Sequence, residues 1–332
     1  MSVPFSILDL CPVPAGATVA DALHHSVDLA RRAESLGYRR FWLAEHHNMP
    51  GIASAATAVV IAHVAAGTST IRVGSGGIML PNHAPLIIAE QFGTLAALHP
   101  NRIDLGLGRA PGTDAATAMA LGRSPAAADD FPRAVQQLQF YFRDPVPGQA
   151  VRAVPGAGLH VPIWILGSSL FGAELAAALG LPYAFAAHFA PDELMRALHV
   201  YRSRFTPSAS LSRPWAMASV NVAAADTDAD ARRLFTSMQQ AFTNIRTRGV
   251  AGPLPAPVDN IDRWWSPAEK AVVDQVLRYS FVGTADSITD PLRAFIETTK
   301  VDEVMITAHI HAQAARLRSI EIAAAVRDRL AS

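Results

Sequence analysis

Cysteine occurs once in the 332 residues, at Cys11. One thiol excludes an internal disulfide and any cysteine-based zinc site, and it places no demand on an oxidising compartment. Lysine is almost as scarce, with only Lys270 and Lys300, and the 28 basic side chains are balanced by 28 acidic ones. Nucleic acids and anionic membranes are gripped by clustered Lys and Arg, so neither is an expected partner. Long apolar runs are missing as well. The stretch 53–66 is broken by His63 and too short to span a bilayer. No basic-then-apolar leader opens the chain, so a cytoplasmic location is expected. Absent too is a Gly-x-Gly-x-x-Gly at the start of a helix after the first strand, the usual mark of a dinucleotide-binding doubly wound sheet.

What is present is an alternation of short apolar runs with helical segments, the pattern of a parallel sheet with crossover helices. Eight strands are expected near Phe5–Asp9, Arg40–Ala44, Ile71–Ser75, Ile103–Leu107, Ile163–Leu166, Tyr183–Ala187, Trp215–Val222 and Glu303–Thr307. Eight parallel strands close a barrel, so the reading is a single α/β domain over 1–332, a (β/α)8 TIM barrel. Helix starts are legible in Thr18 with Asp21, in Pro85, and in the box Ser266-Pro267-Ala268-Glu269, while Gly37 closes the first helix. Two connections exceed a simple crossover. One follows strand four, about 108–162, with Gly112, Pro125, Pro145 and Pro147; the other follows strand seven, about 223–302, and includes the Pro-rich segment 249–257. Long irregular segments of this kind are commonly functional.

Several strands stop at polar clusters: FWLAEHHN at 41–48, IRVGSGGIMLPNH at 71–83 and RIDLGLGRAPG at 102–112. In a parallel barrel these ends share one rim, which makes Glu45, His46, His47, His83 and Arg109 neighbours. His188, His309 and His311 follow later strands, placing half of the twelve histidines on that rim. His46 is the candidate for proton transfer, because imidazole titrates near neutrality. Glu45 beside it would bias its tautomer, although successive residues of an extended strand point to opposite faces. Gly76 and Gly77 leave room for a flat ligand, or mark a bulge. Arg109, with Ser168 and Ser169 ahead of a helix near Phe171, suits a phosphate; a plain serine cap is the other reading of the serines.

With these motifs in order, the sequence resembles the bacterial luciferase-like family of flavin-dependent monooxygenases, over nearly the whole chain. The matching segments are FWLAEHH, VGSGGIMLPNHAPLIIAEQF, RIDLGLGRAPG and VDEVMITAHIHAQAARLRSIE. Its Pro-rich segment and WSP helix start are most similar to the alkanal-monooxygenase-like branch. The resemblance implies a luciferase-like TIM barrel with insertions after strands 4 and 7. It implies reduced FMN as cosubstrate, supplied by a separate NAD(P)H:flavin reductase. Reaction with O2 through a flavin C4a-peroxide would then oxygenate a small, largely apolar organic molecule. By position, His46 matches the catalytic histidine, Gly76-Gly77 a pair under the flavin ring with a cis bond between them, Arg109 the phosphate arginine, and Ser168 and Ser169 the phosphate loop.

Glu45, His83, His188 and His309 are then expected on the substrate side. The segment 244–265 would be a lid in which Trp264 and Trp265 cover the flavin or anchor the loop, and a homodimer is implied. Gly108 and Gly167 stand where light-emitting relatives carry a cysteine and an acidic residue, so light emission is not implied. The alternatives are a deazaflavin (F420)-dependent oxidoreductase, a flavin binder without turnover, and a metal-dependent barrel hydrolase using His309, His311 and the Glu45–His47 cluster. The hydrolase reading lacks the usual His-x-His after strand one, where Asp9-Leu10-Cys11 stands, and no metal is expected.

Overall fold

Short apolar runs bounded by Gly, Pro or charge form strands throughout the computed structural model, which describes residues 3–110, 112–123 and 128–331. The strands are β1 (Phe5–Asp9), β2 (Arg40–Leu43), β3 (Arg72–Met79), β4 (Ile103–Gly108), β5 (Ile163–Gly167), β6 (Tyr183–Phe185), β7 (Ala216–Ala224), β8 (Ser280–Gly283) and β9 (Glu303–Thr307). All pair in parallel. β1 to β7 follow one another around a ring, and β9 closes it between β7 and β1. The result is a closed (β/α)8 barrel.

β8 was not anticipated. It pairs only with the end of β7, from Asn221↔Ser280 to Ala224↔Gly283, beyond the stretch of β7 that pairs with β9 from Met217 to Asn221. β7 is nine residues long because it serves both partners.

The helices are α1 (Val19–Ser35), α2 (Thr57–Ala66), α3 (Pro85–Leu98), α4 (Ala115–Ala120), α5 (Phe131–Phe142), α6 (Leu170–Leu179), α7 (Leu194–Ser203), α8 (Asp228–Thr247), α9 (Pro267–Val276), α10 (Ala285–Thr299) and α11 (Gln313–Ala331). Their ends follow the expected chemistry. Thr18 with Asp21 and Ser266 with Glu269 each complete a capping box, Pro267 occupies the first turn of α9, and Gly37 sits at φ +72 after α1. Such caps contribute about 1 kcal/mol each. The long connection after β4 holds α4 and α5; Pro125, expected within it, lies outside the described residues. No helix among the described residues is long and apolar enough to cross a membrane.

Side chains alternate across each strand, and those turned into the barrel set the height of everything above them. Leu8, Trp42, Ala44, Trp164, Ala184, Met217 and Met305 fill the interior, with the Trp42 and Trp164 rings edge to face at 5.1 Å. Beneath them, at the strand starts, lies a buried ionic floor. Arg40 pairs with Asp104 at 2.6 Å and with Glu303 at 3.0 Å, while Arg72 holds Asp104 at 2.5 Å. Burial alone pushes the Asp104 carboxyl up, but Arg40 and Arg72 outweigh it and hold the group below the usual carboxylate range. Charges so deep are tolerated because each has its partner.

Candidate active site

The inward alternation continues past the apolar layer into polar residues at the carboxyl ends of the strands. From Trp42 it passes Ala44 to His46; from Met217 it passes Ser219 to Asn221; from Met305 it passes Thr307 to His309. β6 is only three residues long, and a turn in which Ala187 N–H donates to Phe185 O (3.0 Å) delivers His188 to the same level.

His188 is 7% exposed, and its Nδ1 lies 2.6 Å from Ser219 Oγ. His46 and His309 are half-buried, and each has an Nδ1 shielded from solvent without a hydrogen-bond partner. Burial lowers the basicity of all three. For His46, Glu45 works against the shift and His47 adds to it. His188 falls to about 3, with His309 and His46 reinforcing the effect of burial. His309 falls to about 4, through burial and Arg316, opposed by Asp9 and reinforced by His46. Three imidazoles held neutral by burial therefore ring the mouth, and a neutral imidazole can both donate and accept.

Glu45 faces the other way. It forms no hydrogen bond with His46; its carboxylate, 1% exposed, instead accepts from His47 Nε2 (2.7 Å), His83 Nε2 (2.9 Å), Asn82 Nδ2 (3.1 Å) and Met79 N–H (2.9 Å). Burial alone raises this carboxyl; the bonds and charge of His83, then His47 and the Met79 N–H, overturn that and leave it below its ordinary value. An ionised carboxylate only accepts, so both histidines carry a proton on Nε2. Glu45 thus ties the end of β2 to the turn after β3.

β3 runs past the expected end at Ser75 to Met79, so Gly76 and Gly77 lie inside the strand. The pairing with β4 slips there, Gly76 facing Gly106 and Ile78 facing Leu107, which is a bulge. The Gly76–Gly77 peptide is cis, as the resemblance implied. A Cβ on Gly77 would lie 2.7 Å from the Gly106 carbonyl oxygen, and one on Gly76 would lie 2.6 Å from Leu8 Cδ1. The Gly77 carbonyl in turn accepts from Glu45 N–H at 3.2 Å.

Arg109 stands apart from the Glu45 cluster, on the β4 and β5 side. Its guanidinium lies 4.0 Å from the centre of the Phe171 ring, in the first turn of α6, and among the described residues no carboxylate pairs with it. Ser169 is the N-cap of α6 yet makes no side-chain capping bond, which leaves Ser168, Ser169 and the first N–H groups of that helix open to an anion. The serine cap in its ordinary form is not what the structure shows.

The segment 244–265 begins in the last turn of α8 and then crosses the end of β1. Leu254 is buried there, donating to Val13 O and accepting from Ala15 N–H, both at 2.8 Å. Of the two roles open to the tryptophans, Trp265 takes the anchoring one, packing with Met238, Val273 and Leu277 between α8 and α9. Trp264 lies against Arg248 at 5.2 Å. His311 turns to Ala15 O (3.1 Å), away from His309. Among the described residues no three His, Cys, Asp or Glu side chains are grouped to hold a metal ion.

Sequence reasoning passed over Ser219, Asn221 and Thr307. Thr307 Oγ1 donates to Asn221 Oδ1 (2.6 Å), and Asn221 Nδ2 donates to His188 O (2.7 Å). Their alternation with apolar neighbours marks them in the sequence only as one face of β7 and β9; closure of the barrel decides that this face points inward.

Comparison with known proteins places the chain among relatives of the same build. A family model described as luciferase-like monooxygenase matches residues 3–303. A protein of Escherichia coli (strain K12) named luciferase-like monooxygenase is 54% identical over 330 residues, covering 99% of this chain and 98% of its own. The crystal structure of apo-MsnO8 superposes with a TM-score of 0.86 at 36% identity, covering 98% of both chains. The oxygenating constituent of 3,6-diketocamphane monooxygenase from Pseudomonas putida, solved in complex with FMN, has a TM-score of 0.74 at 18% identity, covering 98% of this chain and 97% of its own. That last likeness is one of fold alone.

Proposed function

The chain belongs to the luciferase-like monooxygenase family, and from that premise we propose that it is an FMN-dependent monooxygenase acting on a small, largely apolar organic substrate. The residues present fit the cofactor. Arg109 has no carboxylate partner among the described residues and lies over the first turn of a helix whose cap residue makes no side-chain bond. That pairing of a fixed cation with open N–H groups carries the reading, because it is what a phosphate monoester requires. Reduced FMN, when bound, would supply the electrons that activate O2, the oxidant; the protein would supply position, dryness and one proton.

Arg109, Ser168, Ser169 and the start of α6 hold the phosphate. The side-chain-free backbone of Gly76 and Gly77 gives the ring a flat wall. His46 takes or gives a proton at a ring nitrogen in the mouth; its lowered basicity keeps it neutral at pH 7 and able to accept. His83, oriented by Glu45, and His188 and His309 bound the substrate side. The segment crossing at Leu254 keeps water out. A separate NAD(P)H:flavin reductase delivers the reduced cofactor, in keeping with a sequence that lacks a dinucleotide fingerprint. Val59, Ile87 and Leu98, exposed on α2 and α3, support a homodimer through those helices.

Arg109→Met tests the reading. Losing a charge-assisted phosphate contact weakens FMN binding by roughly 10- to 100-fold, from about 1.5–3 kcal/mol, while riboflavin, which has no phosphate, binds as before. Equal loss of both ligands, or of neither, would remove Arg109 and α6 from the phosphate site.

A further inference from the structure

His188 and Ser219 are hydrogen-bonded, and the Phe185 carbonyl beside the hydroxyl favours one direction of that bond. A serine hydroxyl has a single proton, and Ser219 Oγ lies 3.1 Å from the Phe185 carbonyl oxygen, which can only accept. With the hydroxyl proton in that bond, Ser219 offers a lone pair toward His188 Nδ1, at 2.6 Å, and Nδ1 carries the ring hydrogen. A neutral imidazole has one N–H, so Nε2 is bare. Burial with His309 and His46 nearby keeps the ring neutral through the physiological range.

The direction of Nε2 follows from the same contacts. Phe185 pairs with Ala218, so Ser219 lies one residue past that level and His188 three, and the ring edge away from Ser219 turns to the mouth. Phe189 packs edge-on against the ring at 4.8 Å, and the His188 carbonyl is held by Asn221, itself fixed by Thr307. Among the described residues no side chain donates to Nε2.

We propose that His188 Nε2 is a specificity-determining acceptor which selects neutral substrates bearing an O–H or N–H donor, and that Ser219 is the positioning residue that keeps it bare. A carboxylate would set its lone pairs against that of Nε2, and a molecule without a donor would leave a buried acceptor unpaired. The proposal rests on the preceding reading only in taking the barrel mouth as the substrate chamber.

The test uses protein labelled with 15N-histidine, as purified and again with oxidised FMN added. At pH 7 the His188 signals should show a protonated Nδ1 and a bare Nε2, and Ser219→Ala should let the proton move between the two nitrogens. N-butylacetamide, with one N–H, and N-butyl-N-methylacetamide, with none, then serve as probes, read by the saturable shift of His188 Nε2 and, in His188→Phe, by that of the His46 and His309 ring nitrogens. The secondary amide should bind about tenfold tighter or more. That ratio should fall toward one in His188→Phe and fall in part in Ser219→Ala, which retains the ring should the first variant not fold.

A protonated Nε2, equal binding of the two amides, or no saturable shift with either would overturn the proposal. None of these readings depends on oxygen chemistry. Amide discrimination without flavin-dependent oxygenation would sink the proposed function alone; oxygenation without discrimination would sink this inference alone.

Discussion

Replacing Glu45 with glutamine preserves the size of the side chain and removes what its neighbours require. The carboxylate accepts from four donors: two imidazole N–H groups, one amide side chain and the Met79 backbone N–H. A glutamine carbonyl can accept two of these at most, and its NH2 group meets the others as a donor facing donors. One histidine can move its proton to Nδ1 and accept from the new amide; the remaining mismatch stays buried. With hydrogen bonds to charged groups at about 1.5–3 kcal/mol and one or two of them lost, Glu45→Gln should cost about 2–4 kcal/mol.

Urea unfolding at pH 7 should show this as a lower midpoint with an unchanged slope. The sign of the pH dependence follows from the direction of the shift. The folded carboxyl lies below its ordinary value of 4.5, so its contribution is complete above that value and is lost as pH falls through the folded one. The gap between wild type and variant should therefore narrow below pH 4.5. A variant as stable as wild type across pH 5–8 would refute the claim that Glu45 ties β2 to β3.

Acid should act on His188 in the opposite chemical sense. Its folded value of about 3 lies below the ordinary 6.5, so below pH 6.5 the unfolded chain binds a proton that the fold refuses, and stability falls as pH drops. The loss from this residue is about 2 kcal/mol between pH 7 and pH 5. His188→Phe should make that part of the pH profile shallower by this amount, with His309 and His46 still contributing, and an unchanged profile would place the titration elsewhere. Gly77→Ala should destabilise by about 2–4 kcal/mol and more than Gly76→Ala, since its Cβ meets a backbone carbonyl whereas that of Gly76 meets a leucine methyl able to move; thermal melts giving the reverse order would contradict the packing. Arg40→Met leaves Glu303 and Asp104 short of a cation in the barrel floor and should cost about 3–5 kcal/mol. Denaturant midpoints equal to wild type would show the floor to be solvated.

The barrel was legible because each of its strands is a short apolar run with a clear boundary. β8 escaped because only Phe281 and Val282 mark it, too few for any period to register. The bulge at Gly76 is a property of the pairing of β3 with β4, and no local pattern shows which register two strands adopt. In the candidate site, strand ends identified His46, Glu45 and Arg109 as rim residues, yet the partition among them needed three dimensions. Alternation predicts that Glu45 and His46 diverge; that Glu45 should reach His83 depends on β2 and β3 being neighbours. Trp265 was legible as an aromatic beside a helix start, whereas its burial between α8 and α9 follows from how those helices cross. Ser219, Asn221 and Thr307 become informative only once barrel closure shows which face of β7 and β9 points inward.

The most direct measurement of the central claim is an anaerobic titration of the protein with reduced FMN, followed by oxygen while the flavin spectrum is recorded. The account predicts tight, saturable binding, and reoxidation through a transient species that absorbs as neither reduced nor oxidised flavin. No binding of reduced FMN, or uptake of a deazaflavin in its place, would contradict it.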